Sequence, residues 1–192
     1  GYVIKSNNDT LSGFVDFRNW DKNPEEIKFK KNKGSAPVPF QPSNIKGFKV
    51  KDEVYVRGIV KAEISPEQLD NLSDERGINT KEDTVFLQTL FKGEKSLYYY
   101  KDPRGMANFY IKQNKGYELL KYKKYYKNQD GRRVIKENKN YIGQLTLYLD
   151  DCETIHSKLD GTAYKQGSLI KLFKHYYDCT QANFSFHKQV NK

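Results

Sequence analysis

Catalytic signatures are missing from this sequence. It holds no G-x-S-x-G elbow, no G-x-x-x-x-G-K-[ST] phosphate loop and no H-E-x-x-H zinc motif. That removes the motif-based routes to a serine hydrolase, a P-loop enzyme and a zinc protease. Histidine is scarce: His156, His175 and His187 all follow residue 150, and no spacing selects one as a base. Asp150 and Asp151 are adjacent carboxylates. Neighbours on a helix point about 100° apart, so this pair does not converge on one reacting atom. No catalytic set and no cofactor is expected. Long apolar runs are missing as well, and without 18 consecutive apolar residues no helical membrane span is expected. Nor does a basic, then apolar leader open the chain. The start is strand-like, as in a mature exported chain after signal cleavage, or in a trimmed chain whose Gly1 is a protease scar. The start alone therefore leaves the compartment open.

What is present favours a folded β-rich chain. A length of 192 residues fits one domain with room for a sizeable core. Aromatic residues make up 14%, led by 15 tyrosines, and aromatic and β-branched residues suit strands. Charged residues of both signs are interspersed, which argues against disorder. The formal charge is +10, carried mostly by lysine. Such an excess fits either a polyanion partner or a surface kept soluble by lysine, and the second is the commoner case.

Read along the chain, the first two thirds give antiparallel strands. Residues 2–5 and 12–17 form a hairpin across Ser6-Asn7-Asn8-Asp9-Thr10, and Ile27 and Phe29 alternate with lysines. Pro37, Pro39 and Pro42 bar residues 35–44 from a central strand. Strands are expected at 45–50 and 53–64. A polar surface excursion follows at 65–83, where Ser65-Pro66-Glu67 has the chemistry to open one helical turn. Four strands at 84–92, 95–101, 107–112 and 117–126 form a meander joined by short Gly/Pro turns, and Asp130-Gly131 marks another turn. Leu97 and Tyr99 then share one face of the sheet, Tyr98 and Tyr100 the other. After residue 139 the period becomes helical: Tyr141, Leu145, Tyr148, Leu149 and Cys152, then Leu169, Leu172, Phe173, Tyr176 and Cys179, with Ser168 as cap of the second helix. The expected fold is α+β, an antiparallel sheet in residues 1–138 with a C-terminal helical pair in 139–192 packed against it.

The two cysteines admit three readings. Cys152 and Cys179 end the two helical stripes, so a disulfide between them, facing the same core as those stripes, is the leading one. Two buried thiols form the second. In the third, Cys152, His156, His175 and Cys179 supply four zinc ligands, since each Cys/His pair is four residues apart on one helix face.

The strongest binding signal lies at 117–139, within the basic aromatic strands of 98–139. Residues 110–140 carry ten Lys/Arg against three Asp/Glu, with aromatics between them. Tyr98, Tyr100, Tyr110, Lys121, Tyr122, Lys123, Lys124, Arg132 and Arg133 are the candidate contacts, because aromatic stacking beside a basic groove holds single-stranded nucleic acid and also suits glycans or anionic lipid. The plainer reading is a strand with tyrosine in the core and lysine outside, and it is the more frequent arrangement.

"GYVIKSNNDTLSGFVDFRNW", "SLYYYKD", "YIGQLTLYLDDC" and the Leu/Ile/Phe–Tyr-Tyr-Asp-Cys pattern of 169–179 resemble a family of uncharacterised exported proteins of Bacteroidetes-type bacteria. Some relatives carry an outer-membrane β-barrel after such a domain. The resemblance implies export to the periplasm or outer membrane, favours the disulfide, and carries over no catalytic residue. A non-enzymatic envelope binding or assembly module is therefore expected, its partner an envelope protein, glycan or anionic lipid surface. A nucleic-acid-binding protein using the basic aromatic strands and a hydrolase of an envelope polymer are the alternatives.

Overall fold

Alternating apolar residues and tight turns set the first 138 positions into strands, as the computed structural model of the chain shows for residues 1–66 and 68–187. The strands are β1 (Tyr2–Lys5), β2 (Thr10–Ser12), β3 (Phe14–Val15), β4 (Ile27–Lys30), β5 (Val38–Phe40), β6 (Ile45–Val50), β7 (Glu53–Glu63), β8 (Thr80–Gly93), β9 (Leu97–Lys101), β10 (Ala107–Gln113), β11 (Gly116–Leu119), β12 (Lys123–Gln129) and β13 (Arg132–Asn138). Helices α1 (Asn140–Tyr148), α2 (His156–Leu159) and α3 (Gln166–Thr180) follow, then β14 (Phe184–Phe186). The fold is α+β, with every paired strand antiparallel among the described residues.

The main sheet runs β11-β10-β9-β8-β7-β6-β1-β2, and β14 pairs with the end of β8 beyond the reach of β7. Its two faces are covered differently. Leu97, Tyr99, Phe109 and Ile111 point to one side, where Tyr141, Leu145, Leu169, Phe173 and Tyr176 of α1 and α3 cover them. On the same side, further along, the small sheet β3-β4-β5 and Trp20 cover Phe48, Tyr55 and Phe86. Among the described residues no helix covers the other face. The sheet instead rolls on itself until β11 lies against β7, and Tyr98, Tyr100, Tyr110 and Leu119 meet Val60, Ala62 and Leu87 inside the roll. Removal of each large side chain such as Leu87 or Leu119 from water is worth about 1.5–3 kcal/mol, which is how a face without helices stays closed. The expected split of Leu97/Tyr99 from Tyr98/Tyr100 is thus present.

Before the β8–β9 ladder begins the two strands part, and Asn23 bridges the opening. The β8–β9 ladder begins at Gln88↔Tyr99. Just before it, the buried Asn23 side chain donates to the carbonyls of Phe86 and Tyr99 and accepts from the Lys101 amide. One amide therefore satisfies main-chain groups from both strands where they have parted.

Several local expectations are corrected. Residues 12–17 are not one strand: β2 pairs with β1, and after Gly13 β3 leaves for the small sheet. A Cβ at Gly13 would lie 2.3 Å from the Lys30 carbonyl oxygen, so the crossing requires glycine. Residues 117–126 are likewise broken, with β11 in the main sheet and β12 in a separate hairpin with β13. The helical turn lies at Leu69–Asn71 rather than at Ser65, and Glu67 lies outside the described residues. The helical pair has a third, one-turn member, α2. Ser168 is not the residue before α3, a place taken by Lys165; its hydroxyl accepts instead from the Ala163 amide.

Cys152 and Cys179 are joined in a disulfide, with Cα atoms 5.9 Å apart. The zinc set is therefore not formed: both sulfurs are bonded to each other, His156 is exposed at the start of α2, and His175 Nε2 is hydrogen-bonded to Thr154 Oγ1 at 2.9 Å. The cysteines do not share one environment either. Cys152 is fully buried in the turn after α1, whereas Cys179 is exposed on the last turn of α3.

Candidate functional site

The roll stops short of closing into a barrel, and the seam is the site. β7 pairs with β8 over 54–63 but with β6 only over 53–56. Residues 57–63 therefore have a partner strand on one side alone. Which main-chain groups face the open side follows from register. Ile64 N donates to Asn79 O in line with the β7–β8 ladder, so even residues of β7 bond to β8 and odd ones turn their N–H and C=O away. By the same logic Leu120 N, which donates to Phe109 O, makes Tyr117 and Leu119 the residues of β11 that face away from β10. Two strand edges thus look at each other across the seam.

Side chains cap the end of this seam nearest Glu63. Asn108 Oδ1 accepts from the Glu63 amide, Arg104 donates to the Glu63 carbonyl, and the Tyr110 hydroxyl donates to the Lys61 carbonyl. On the facing strand Gln144 Nε2 donates to the Leu119 carbonyl. A cleft of about 950 Å³ lies along the seam, lined on β7 from Arg57 to Lys61. Val60, Ile78, Tyr117 and Leu119 give it an apolar lining, and Ile59 stands at its edge, 63% exposed.

Charge at the cleft is one-sided. Arg57, Lys61, Lys112, Lys115 and Lys121 line it against Glu82 and Glu118. Both Glu118 oxygens accept from side-chain amides, of Gln113 and Gln144. Lys112 lies over the Tyr117 ring at 4.2 Å from its centroid, which fixes a cation at the rim. None of the five cations is within 4.0 Å of a carboxylate among the described residues. The arrangement offers unpaired main-chain edges, an apolar lining and a cationic rim. It can hold an extended anionic ligand, and it assembles no nucleophile with a base.

The residues expected from the sequence are spread over three places. Tyr98, Tyr100 and Tyr110 are core rings inside the roll, with no face free for stacking on a ligand. Lys121 stands exposed at the cleft. Tyr122 stacks on Tyr164 at 4.7 Å and donates to Glu137. Lys123 is buried, its ammonium donating to the Gly77 carbonyl at 2.6 Å. Lys124, Arg132 and Arg133 lie exposed on the β12–β13 hairpin, where Arg133 covers the Tyr126 ring and pairs with Asp74. Sequence reasoning missed Arg57, Ile59, Lys61, Lys112, Lys115 and Tyr117. The available signal was the mismatch between an 11-residue β7 and its six-residue neighbour β6, which leaves part of the longer strand unpaired.

Burial of these rings has a measurable consequence. Desolvation pushes Tyr100 and Tyr117 up to about 12, with Asp83 and Asp102 adding to the rise at Tyr100 and Tyr98 to that at Tyr117. Desolvation also raises Tyr99 and Tyr148 to about 12. In an alkaline titration followed by phenolate absorbance these rings ionise only as the pH nears 12, against about 10 for a free tyrosine. The unfolded chain loses its phenolic protons first. The stabilisation from the neutral rings is therefore complete below about pH 10 and is lost as pH rises through about 12. Ionisation of every tyrosine in one step near pH 10, with the fold intact, would show the roll to be open to water.

No protein family, curated protein or solved structure matches the chain.

Proposed function

We propose that this chain is a non-enzymatic binding or assembly module of the cell envelope, working in the periplasm or at the outer membrane, with the seam cleft as its binding site. The cleft carries this reading: a β roll left open along one seam, lined by apolar side chains and rimmed by five cations without ion-pair partners among the described residues. The Cys152–Cys179 disulfide supports an oxidising compartment, and the resemblance of the N-terminal and C-terminal segments supports export. No helix among the described residues is long and apolar enough to cross a membrane.

Fractionation of native cells tests the compartment, with the chain expected outside the cytoplasm and oxidised at both cysteines. Recovery in the cytosol with both thiols free overturns the envelope reading. The cleft is tested by Lys61→Glu/Lys115→Glu/Lys121→Glu, which is expected to abolish binding to isolated envelope fractions without lowering the melting temperature. Unchanged binding moves the site elsewhere.

The β12–β13 hairpin favours a second reading. Lys124, Lys127, Arg132 and Lys136 are exposed on a two-stranded ribbon outside the main sheet. A single-stranded oligonucleotide bound there would show affinity falling steeply with salt, and charge reversal at Arg132 and Lys136 would abolish it while the cleft variant left it intact.

A further inference from the structure

We infer that the Cys152–Cys179 bridge is a thiol–disulfide exchange site, at which an incoming thiol attacks Cys179 while Thr154 and His175 deliver the proton that lets Cys152 leave. The site is independent of the seam cleft. Its two sulfurs differ in access. Cys152 is fully buried in the turn after α1, while Cys179 is exposed on the last turn of α3. A thiolate from solvent therefore reaches Cys179 alone, and Cys152 is the leaving group by position. Departure as a bare thiolate would be costly there, because burial disfavours the charged form. The step needs a proton donor at Cys152.

That donor is in place. Thr154 Oγ1 lies 3.5 Å from Cys152 Sγ and 3.7 Å from Cys179 Sγ. Bridged sulfurs carry no hydrogen, so in these contacts the hydroxyl donates. Its oxygen then accepts from His175 Nε2, 2.9 Å away. His175 stands one turn before Cys179 on α3, so both meet the same hydroxyl. A bridge that serves only as a tie needs neither group. In the exchange the incoming thiolate bonds to Cys179 Sγ, the bond between the two sulfurs breaks, and its electron pair passes to Cys152 Sγ. That sulfur takes the Thr154 proton, and a protonated His175 restores the hydroxyl through Nε2. The products are a mixed disulfide on Cys179, a buried neutral thiol at Cys152 and a neutral imidazole. A second thiol on the same donor then attacks the mixed disulfide at the donor's sulfur. Cys179 departs as a thiolate that solvent protonates, and the donor is left as a disulfide. Reduction unties α3 from the segment before it, whose buried anchors are Ile155 and Leu159.

The test incubates the oxidised, folded chain with excess glutathione, quenches with acid and maps the adduct by mass. Glutathione is expected on Cys179, with Cys152 as the free thiol. Thr154→Val removes the hydroxyl from an exposed position, and it is expected to slow adduct formation at least about tenfold. Thr154→Ser is expected to restore the rate, which a role in packing alone would not permit. His175→Gln is expected to slow the reaction as Thr154→Val does. In denaturant, where the site is not assembled, all these chains should react at one rate. A protein of the thioredoxin type, with the second cysteine of its Cys-x-x-Cys motif replaced by serine, identifies the source of the thiol. A cross-link to Cys179 that forms faster than the glutathione adduct assigns a protein dithiol, and the reverse order assigns a small thiol. Should a variant not fold, the map on the unaltered protein still decides which sulfur is attacked. An adduct on Cys152, no adduct from either donor while the chain stays folded, or equal rates for Thr154→Val and the unaltered protein overturns the exchange site and leaves the bridge as a structural tie.

Discussion

Exchanging both Cys152 and Cys179 for serine lowers the free energy of unfolding by about 3.5 kcal/mol, within a range of about 2–5 kcal/mol. The bridge closes a separation of 27 residues. The part of that segment before α3 is poor in regular structure and holds only the single turn of α2. Without the bridge the unfolded chain gains the entropy of an open loop, and the stretch before α3 has no ladder or long helix to hold it in place. Ile155 and Leu159 are its buried anchors. The damage should therefore appear as faster amide exchange between residues 149 and 165, with the sheet little changed. The two positions are not equivalent. Serine at 152 adds a hydroxyl to a fully buried site, whereas serine at 179 stands in solvent beside Thr154. Cys152→Ser is accordingly the costlier single change. Denaturant titration of the variants, with intact mass before and after reduction, checks both the size of the loss and its asymmetry. A protein whose thiols alkylate without prior reduction, or whose denaturation midpoint is unmoved by reductant, contradicts the bridge as a stabilising link.

How much of this was legible in the sequence depends on the range of the interaction concerned. The hairpin at Asp102-Pro103-Arg104-Gly105, the split of Leu97/Tyr99 from Tyr98/Tyr100 and the stripe of Leu169, Leu172, Phe173 and Tyr176 are local regularities, and the chain adopts all of them. What sequence reasoning missed is set by distant partners. Residues 117–126 alternate well enough for one strand, but Leu120 is fully buried in the helical core and the Lys121 carbonyl accepts from Tyr141 at the start of α1. Those two ties end β11 after four residues. Phe184 and Phe186 alternate around Ser185 over only three residues, too short a run to read as a strand; they pair with β8 because β7 leaves the end of its edge uncovered. The cleft belongs to the same class. Each lysine at its rim reads as an ordinary surface lysine. Only the rolling of the sheet, driven by tyrosines 98, 100 and 110 turning inward, brings strands β7 and β11 face to face. The basic aromatic signal at 98–139 is thus divided by the fold, its rings going to the core and its cations to the seam and the hairpin.

Phe91→Ala lowers stability by about 3–5 kcal/mol, the cost of emptying a fully enclosed aromatic site. Phe91 sits at the irregularity in the β8–β9 pairing, between Leu97 on one neighbour and Phe186 on the other. Its ring is surrounded by Phe173 and Tyr177 of α3 and by Phe184 and Phe186 of β14, with centroids 4.9–5.9 Å away. Strand β9 and, from much later in the sequence, helix α3 and strand β14 therefore meet on one side chain. Truncation leaves a hole that none of them can fill by moving alone, because β14 is held by its ladder and α3 by the disulfide and by the Tyr177 hydroxyl on the Lys95 carbonyl. Phe184→Ala is the control. That ring stacks on Tyr177 at 4.3 Å but is 43% exposed, so water fills its place and the loss is about 1 kcal/mol. Hydrogen exchange on Phe91→Ala should show α3 and β14 opening together while β6 and β7 stay protected. Equal losses for the two variants in denaturant titration would mean that β14 is not docked on the core, and that the helical layer is held to the sheet by α1 and the disulfide instead.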